Sequence, residues 1–359
     1  MAGLFGSSST STNQANTLGD LSKDVTLSAP PEDSVSDISF SPQSEHLAVA
    51  SWDKKVRIYE INQSGGSEGK ALFEHEGPVL SCDWSKDGTK VVGGGADKAA
   101  RMLDLGAGQT TAQQVAAHDQ PIRCVRFFEP AQGGATMLVT GSWDKTIKYW
   151  DLRQSTAVAT VQCQERVYTL DVRNQLLVVG TADRYINVIN LSEPTKFYKT
   201  LQSPLKWQTR VVSCFSDATG FAVGSIEGRC AIQYVEEKDA SSNFSFKCHR
   251  DPPNNNMTNV YSVNAISFHP VHGTFSTAGS DGTFHFWDGV AKHRLKGYPS
   301  TGGTISATAF NRTGSIFAYA VSYDWSKGYA SNTPQYPNKV MMHPVNGDEC
   351  KPRPSVKKR

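Results

Sequence analysis

The chain has 359 residues, of which 36 are Lys or Arg and 34 are Asp or Glu, so its formal net charge is only +2. No hydrophobic stretch is long enough to cross a membrane, and the polar N terminus lacks the apolar core of a secretory signal, so we expect a soluble intracellular protein. None of the seven cysteines forms a CxxC pair. They are typical of small core side chains in a reducing compartment, and we predict no metal site and no cofactor.

The charge is unevenly distributed along the chain. Residues 1–190 hold 17 basic against 22 acidic residues, whereas residues 191–359 hold 19 basic against 12 acidic residues. A fold assembled in sequence order would therefore be basic over its later part, which favours an acidic partner. The alternative is that these charges are scattered over a solvated surface.

The chain begins with a tail rich in Ser, Thr, Gly and Asn, which we predict to be disordered over residues 1–22. This tail contains one GLFG unit at residues 3–6, the adhesive motif of nucleoporin repeat domains, although four residues are equally consistent with a random tail. We expect one folded domain over residues 23–346 and a basic tail over residues 347–359.

A short motif then recurs seven times: small residues, an acidic residue, and a polar residue or glycine between two strand-like runs. The copies are ASWDK at 50–54, GGADK at 94–98, GSWDK at 141–145, GTADR at 180–184, GSIEG at 224–228, AGSDG at 278–282 and a degraded VSYDW at 321–325. Consecutive acidic positions lie 39 to 54 residues apart. A period of about 40–45 residues built from strands predicts the blades of a β-propeller, hence an all-β, seven-bladed ring.

The third repeat shows how each blade is predicted to be built. Alternating β-branched and aromatic residues indicate strands at Ile122–Phe128, Met137–Ser142 and Thr146–Trp150. Equivalent segments are expected at 34–61, 75–105, 165–191, 208–235 and 261–289, and three strands of the seventh blade at 304–310, 316–322 and 339–343. The fourth strand of that blade is predicted to come from residues 24–27, which would close the ring and remove its free edges. Longer loops are expected at 236–260 and 324–338.

Four residues of the third blade suggest an internal network. His118, Ser142, Asp144 and Trp150 stand where WD40 proteins, which this repeat resembles, have a structural tetrad of hydrogen bonds. The resemblance implies that Asp144 orients His118, which reaches Ser142 and then the Trp150 indole. A Ser-His-Asp set is also the composition of a catalytic triad, but the acidic position recurs in every repeat, which favours the structural interpretation. In the second blade, His75 and Asp97 form a partial version in which Gly95 replaces the serine.

Basic residues gather around the fifth blade. The candidates for an acidic-peptide site on one rim are Lys206, Arg210, Arg229, Lys247 and Arg250. Guanidinium groups suit a carboxylate-rich peptide because Arg pairs with Asp or Glu through two hydrogen bonds, and they would also suit RNA phosphates. Some of these side chains would instead cap strand ends or lie over aromatic rings.

The same segments resemble one family closely. SPLKWQTR at 203–210, GSIEGRCAIQY at 224–234, FSFKCHR at 244–250, the run from 263 to 288 and VSYDWSKG at 321–328 are similar to WD40-repeat mRNA export factors of the nuclear pore complex. The resemblance covers essentially the whole chain. A paralogous family, the WD40 spindle-checkpoint proteins, shares the FKCHR and GSDG segments, but the DWSKG stretch and the GLFG start favour the export factors.

The resemblance implies a scaffold without catalytic activity that acts in mRNA export at the nuclear pore and nucleus, with some cytoplasmic pool. Family members bind the GLEBS segment, an acidic hairpin of a GLFG-repeat nucleoporin, which implies a one-to-one heterodimer here. Basic residues of the later blades meet two glutamates of that hairpin; by motif position these are Arg210, Arg229 and Lys247. The family also associates with mRNA or messenger ribonucleoprotein. Residues 289–292, GVAK, depart from the basic pair of animal members, which weakens the expectation of direct RNA contact there.

Two other functions remain open from the sequence. One is a spindle-checkpoint adaptor that binds a related acidic motif of a kinase. The other is a propeller that binds RNA directly through its basic surface, which would make binding strongly dependent on salt. A catalytic function has the least support, because the sequence offers no candidate active site.

Overall fold

The computed structural model describes residues 18–131 and 133–353. Within these ranges the chain forms 28 strands, arranged as seven antiparallel sheets of four strands each. The predicted seven-bladed propeller is thus confirmed. The GLFG unit at 3–6 and the last six residues lie outside the described ranges.

The strands of the first three blades follow one another along the chain. Blade one contains β2 (Val35–Phe40), β3 (His46–Ser51), β4 (Lys55–Ile61) and β5 (Ser67–Glu74). Blade two contains β6 (Val79–Trp84), β7 (Lys90–Gly95), β8 (Ala99–Asp104) and β9 (Gln113–Ala117). Blade three contains β10 (Ile122–Phe128), β11 (Met137–Ser142), β12 (Thr146–Asp151) and β13 (Ala159–Gln162).

The next three blades repeat this order. Blade four contains β14 (Val167–Arg173), β15 (Leu176–Thr181), β16 (Tyr185–Asn190) and β17 (Lys199–Gln202). Blade five contains β18 (Thr209–Cys214), β19 (Gly220–Ser225), β20 (Arg229–Tyr234) and β21 (Phe244–Lys247). Blade six contains β22 (Val263–Phe268), β23 (Phe275–Gly279), β24 (Phe284–Asp288) and β25 (His293–Gly297). The described helices are single 3-10 turns at Ala182–Arg184, Glu237–Ser242 and Tyr329–Ser331, and none could span a membrane.

Blade seven closes the ring. It contains β26 (Ile305–Phe310), β27 (Ile316–Val321) and β28 (Lys339–Pro344), and its outer strand is β1 (Val25–Thr26), which pairs Val25 with Met342. The predicted closure by the N-terminal segment is therefore confirmed. In every complete blade the first strand lines the central channel and the fourth lies outermost. We call the face at which first strands begin and second strands end the upper face.

A buried cluster of polar side chains reinforces this closure. His343 Nδ1 lies 2.6 Å from Asp24 Oδ1, and its Nε2 lies 3.4 Å from Glu349 Oε2. Tyr319 donates its hydroxyl proton to the other Asp24 oxygen at 2.6 Å. Burial opposes a charge on His343, but its hydrogen bonds to Asp24 and Glu349 outweigh burial and raise its pKa to about 9. This cluster ties segments from both ends of the chain to blade seven.

The folded domain extends beyond both predicted boundaries. Leu18 forms a bridge with Gly297 of blade six, and Leu21 packs on the aromatic core between blades six and seven. The side chain of Cys350 is only 2% exposed, and its carbonyl accepts a hydrogen bond from Thr274. Residues 18–22 and 347–350, which we had assigned to tails, are thus docked on the propeller because they cover apolar surface there.

Carboxylates on the inner strands connect three pairs of neighbouring blades: one and two, two and three, and four and five. Asp37 accepts from the Cys82 amide at 3.2 Å, Asp83 from the Phe127 amide at 2.8 Å, and Asp171 from the Cys214 amide at 2.8 Å. Arg126 lies among these carboxylates, 3.5 Å from Asp37 and 3.4 Å from Asp171. The blades are therefore joined by charged hydrogen bonds as well as by apolar packing.

The tetrad prediction for blade three needs one correction. Asp144 binds His118 Nδ1 at 2.8 Å as expected, but His118 Nε2 and the Trp150 indole both meet Thr140 Oγ1, at 2.7 and 2.9 Å. Ser142 was the wrong residue. Its hydroxyl lies at the end of β11. There it donates to backbone carbonyls of the loop before β10 and accepts from the Asp144 amide. Thr140 lies two residues earlier on the same face of the strand, level with the ring nitrogens.

The same geometry identifies a second complete network, which the sequence reading missed. In blade six, His249 lies 2.9 Å from Asp281 and 2.9 Å from Thr277, which also accepts from the Trp287 indole. In both blades the threonine precedes the acidic residue by four positions. Gly93 holds that position in blade two, so the prediction of Gly95 was wrong.

The prediction of one long loop at 236–260 is also partly wrong. It contains the 3-10 turn Glu237–Ser242 and β21, the outer strand of blade five. Cys230 opposite Phe246 fixes the register of β21. The predicted loop at 324–338 is present and carries one 3-10 turn. Asn338 anchors it by donating to the backbone carbonyl of Asp33 in the segment that leads into blade one.

The raised pKa of His343 predicts a pH-dependent stability. An imidazolium that is stabilised in the folded state contributes fully below its unfolded pKa, near 6.5, and loses this contribution as the pH rises through about 9. We expect the free energy of unfolding to fall by roughly 3 kcal/mol between these limits. Denaturant titrations at several pH values measure it. His343→Gln and Asp24→Asn should each flatten the profile; an unchanged slope in both would contradict the role of this ion pair.

The tetrad correction predicts different costs for neighbouring substitutions. Thr140→Val leaves a buried imidazole nitrogen and a buried indole N–H without partners, and should lower the free energy of unfolding by about 2–4 kcal/mol. Thr140→Ser keeps the hydroxyl and should cost only about 1 kcal/mol, for the lost methyl group. Urea unfolding curves measure both. Equal losses in the two variants would show that the hydroxyl bonds contribute little.

Candidate acidic-peptide site

Three basic side chains converge on the upper face of blade five. Arg229 is the first residue of β20 and Lys247 the last of β21, and the two are directly opposed in the sheet register. Opposed residues have Cβ atoms about 5 Å apart, so both side chains leave the same face of the sheet from neighbouring positions. Arg250 follows in the next loop and donates to the Glu227 carbonyl at 2.7 Å and the Gly228 carbonyl at 3.2 Å. We call Arg229, Lys247 and Arg250 the rim cluster.

The rim cluster faces a single carboxylate. Glu227 occupies the acidic position of the repeat, and its Oε2 lies 3.8 Å from Arg229 Nε. In blades two, three and six the equivalent acid binds a histidine, whereas the structure shows no histidine contact for Glu227 among the described residues. Two guanidiniums beside one carboxylate, with Lys247 opposite Arg229 in the sheet, leave a local excess of positive charge. Arg250 reflects this: burial, followed by the neighbouring Arg229 charge, lowers its pKa.

The turn that presents the rim cluster requires a glycine. Gly228 has a φ of +62°, and a Cβ placed there would come within 2.7 Å of the Cys248 carbonyl oxygen. This close approach brings the end of β21 and the start of β20 against the turn. The backbone thereby fixes the spacing of the basic side chains before any ligand binds.

The structure separates Arg210 from the rim cluster. Arg210 lies on the innermost strand of the blade, lines the central channel, and donates to the Asp324 carbonyl at 3.2 Å. Burial, followed by the charge of Arg123, lowers its pKa. The five predicted side chains therefore share the upper face but occupy different radial positions, because they belong to different strands of one blade.

Lys206 lies on the same face, exposed in the loop that leads into blade five. Two apolar side chains beside it were missed by the sequence reading: Trp207 is 60% exposed and Ile226 is 40% exposed. Their signal was available, since a tryptophan and an isoleucine stand in predicted loops where they cannot join the core. A positive cluster next to exposed apolar groups can bind a peptide that is both acidic and partly apolar.

The channel beside this site is polar and encloses about 640 Å³. Burial raises the pKa of Asp83, which lines this channel, to about 6. Burial opposes the charge of Arg126, but the three surrounding carboxylates outweigh burial and raise the pKa of its guanidinium. Within residues 18–131 and 133–353, no three His, Cys, Asp or Glu side chains are grouped as metal ligands would be.

Comparison with known proteins agrees with this architecture. The WD domain, G-beta repeat model matches residues 23–60, 66–104, 109–151 and 244–288. The chain is 71% identical to the mRNA export factor GLE2 of Chaetomium thermophilum over the full length of both chains. It is 62% identical to the Poly(A)+ RNA export protein of Schizosaccharomyces pombe over 98% of both chains, and 43% identical to the protein Rae1 of Drosophila melanogaster over 98% of this chain and 99% of the relative.

The chain belongs to the GLE2/Rae1 family of WD40 proteins. The predicted family resemblance is thereby confirmed, and the full-length coverage matches a ring in which all seven blades are needed for closure. Sequence reasoning had relied on the segments around blades five and six. The structure shows that these segments form the rim cluster and one of the two complete histidine networks.

The charge arrangement of the channel predicts the effect of removing Arg126. Arg126→Met would leave three half-buried carboxylates without the cation between them, and should lower the free energy of unfolding by about 1.5–3 kcal/mol at neutral pH. The part of this loss that comes from Asp83 should disappear as the pH falls to about 6, because without Arg126 the pKa of Asp83 lies higher still and the variant takes up the proton first. Lys196→Met is the control, because both side chains of the Lys196–Glu193 pair are exposed and the pair should contribute less than about 1 kcal/mol. Equal losses in both variants would contradict the role of Arg126.

Proposed function

We propose that this protein is a non-catalytic adaptor in mRNA export, which docks at the nuclear pore by binding the acidic GLEBS hairpin of a GLFG nucleoporin, one to one. The observation that carries this proposal is the rim cluster: Arg229 lies beside Glu227, Lys247 is opposite Arg229 in the sheet, and Arg250 is bound to the same turn. The printed names of the relatives, an mRNA export factor and a Poly(A)+ RNA export protein, support the pathway.

The rim cluster suits two neighbouring glutamates. Arg229 can form paired hydrogen bonds with one carboxylate, and Lys247 adds a second charge directly opposite. The Arg250 guanidinium donates hydrogen bonds to backbone carbonyls, so it fixes the turn. Its main contribution to peptide binding is its positive charge. Trp207 and Ile226 would exclude water at the edge of the contact, which strengthens the charge pairs.

Binding at the upper face of blade five leaves the rest of the ring free. A rigid propeller can hold the nucleoporin hairpin there, while messenger ribonucleoprotein associates elsewhere, directly or through other proteins. In this proposal the protein acts at the nuclear envelope and in the nucleus, as the names of its relatives suggest. A spindle-checkpoint adaptor would bind a similar acidic motif of a kinase, so location separates the two: the export role requires concentration at the nuclear rim in interphase.

The first experiment is a calorimetric titration of the full chain with a synthetic GLEBS peptide at two salt concentrations. We expect one-to-one binding that weakens as salt rises, because the contacts are charged. The same measurement with unstructured RNA tests the rival function. Strong, salt-sensitive RNA binding without peptide binding would reject the docking proposal in favour of a direct RNA-binding propeller.

A charge reversal tests the proposed site. Arg229→Glu should weaken peptide binding at least about 30-fold, since losing one partner of a desolvated pair costs about 2–5 kcal/mol. Lys238→Glu is the matched control: Lys238 is exposed in the same blade, in the connection at the lower face. Lys238→Glu should bind the peptide with the affinity of the wild type, and both variants should have the melting temperature of the wild type. Equal affinities for Arg229→Glu and the wild type would place the peptide elsewhere.

A further inference from the structure

The acidic residue of the repeat supports its own turn in five of the blades. There its carboxylate accepts a hydrogen bond from the backbone amide two residues later, at 2.9 to 3.4 Å. These acids are Asp53, Asp97, Asp144, Asp281 and Asp324. Aspartate suits this bond because its short side chain reaches the backbone two residues on. In these blades the acid therefore has a structural role that does not depend on a ligand.

Glu227, the acid of blade five, is bound differently. Its Oε1 atom is buried and has no hydrogen-bond partner among the described residues, and its Oε2 atom lies 3.8 Å from Arg229 Nε. That distance is longer than a hydrogen bond. The turn itself is made by Gly228, whose φ of +62° is open to glycine without strain. The carboxylate of Glu227 therefore interacts chiefly with the cations around it.

The other acids also have closer ionic partners. Asp53 lies 2.6 Å from Arg57, and the acids of blades two, three and six lie 2.8 to 3.1 Å from their histidines. The contact between Glu227 and Arg229 is the longest of these five. The Arg229 side chain is 32% exposed, so a ligand can reach it, whereas that of Glu227 is 16% exposed. The guanidinium of Arg229 is thus attracted to Glu227 but remains free to turn towards a ligand.

Glu227 also offsets the repulsion within the rim cluster. Burial, followed by the charge of Arg229, lowers the pKa of Arg250, and the charge of Glu227 opposes this shift. Lys247 adds a third positive charge directly opposite Arg229 in the sheet. In the protein without ligand, Glu227 is therefore the counter-ion of the rim cluster.

We propose that Glu227 is an internal competitor of the acidic peptide: it is the counter-ion of the rim cluster in the free protein, and it shares Arg229 with the carboxylate that binds there. This inference rests on the proposed function. A bound carboxylate must approach Glu227 closely, and like charges repel at such distances. Glu227 therefore holds the affinity of the site below the value that its cations alone would give. The cost should appear mainly as faster dissociation of the peptide.

The test is calorimetry of the full chain with the synthetic GLEBS peptide, using Glu227→Gln and, as a matched control, Glu237→Gln. Both substitutions remove one negative charge from blade five, but Glu237 is exposed in the connection between β20 and β21 at the lower face. We expect Glu227→Gln to bind about 3- to 10-fold more tightly than the wild type. Glu237→Gln should bind like the wild type. Damage to the fold would weaken binding, so it cannot produce the expected gain.

Glu227→Met removes the same charge without adding an amide, and it guards against a poorly folded Glu227→Gln protein. It should show a similar gain in affinity. If neither variant gains affinity while Arg229→Glu remains defective, the inference is wrong and the proposed function stands. An equal gain in Glu237→Gln would show that only the net charge of the protein matters, and would also overturn the inference.

A double-mutant cycle tests whether Glu227 acts through Arg229. The loss of affinity caused by Arg229→Gln is measured in the wild type and in the Glu227→Gln background. Because the guanidinium is no longer shared in that background, the loss should be at least about twofold larger there. Equal losses in the two backgrounds would show that Glu227 acts independently of Arg229, and would contradict the shared contact.

If the wild type does not bind the peptide, the proposed function fails, and the competition is tested with glutarate, a small dicarboxylate. Protein with isotope-labelled arginine is titrated while the guanidinium Nε–H signals are recorded by NMR, and Arg229→Gln identifies the Arg229 signal. Glu227→Gln should lower the glutarate concentration at half of the shift at least about threefold. An equal concentration in both proteins, or no shift of this signal, overturns the inference.

Discussion

A ring of blades is stable only if its last blade joins its first, and here that junction depends on two hydrogen-bonded pairs and one buried cation. β1 supplies the fourth strand of blade seven from the other end of the chain, so the ring has no open junction. The strand has only two residues, too few to hold by its own ladder. Asp24 precedes it directly and binds His343 and Tyr319, which adds charged contacts to a minimal pairing. Glu349 then binds the same imidazole from the C-terminal side.

Closure fixes the positions of the inner strands, and these strands carry the charges that join neighbouring blades. Asp37, Asp83 and Asp171 each accept a hydrogen bond from a backbone amide of the next blade, and Arg126 neutralises part of their charge. Because such contacts are buried and mutually dependent, they leave little freedom at the waist of the channel. The upper turns are different. Once the backbone of a turn is fixed, its outward side chains can change without disturbing the ring, and blade five uses this freedom for basic residues.

The repeat period was sufficient to predict the ring, its closure and most strands, since acidic turns at intervals of 39 to 54 residues admit few other folds. The errors have local physical causes. Thr140 and Ser142 lie on the same face of one strand, and only the depth of the histidine decides between them. β21 is short and polar at its edge, so it resembled a loop. Arg210 and Arg229 are close in sequence, but a sheet of antiparallel strands places them at different radii, which no linear pattern reveals. The basic character of the later blades was predicted, but the different radial positions of its side chains were not.

That radial separation bears on how an adaptor of this kind holds a partner. Glu227 lies beside Arg229 in the rim cluster, so an acidic peptide must share that guanidinium with a side chain of the protein itself. Arg250 is held by two backbone carbonyls and Gly228 fixes the turn, so these positions are set before a ligand arrives. A ligand that binds preformed charges loses less conformational freedom than one that must order them, which favours affinity. Competition with Glu227 then favours peptides with more than one carboxylate, because a single carboxylate gains little over the pairing that is already present.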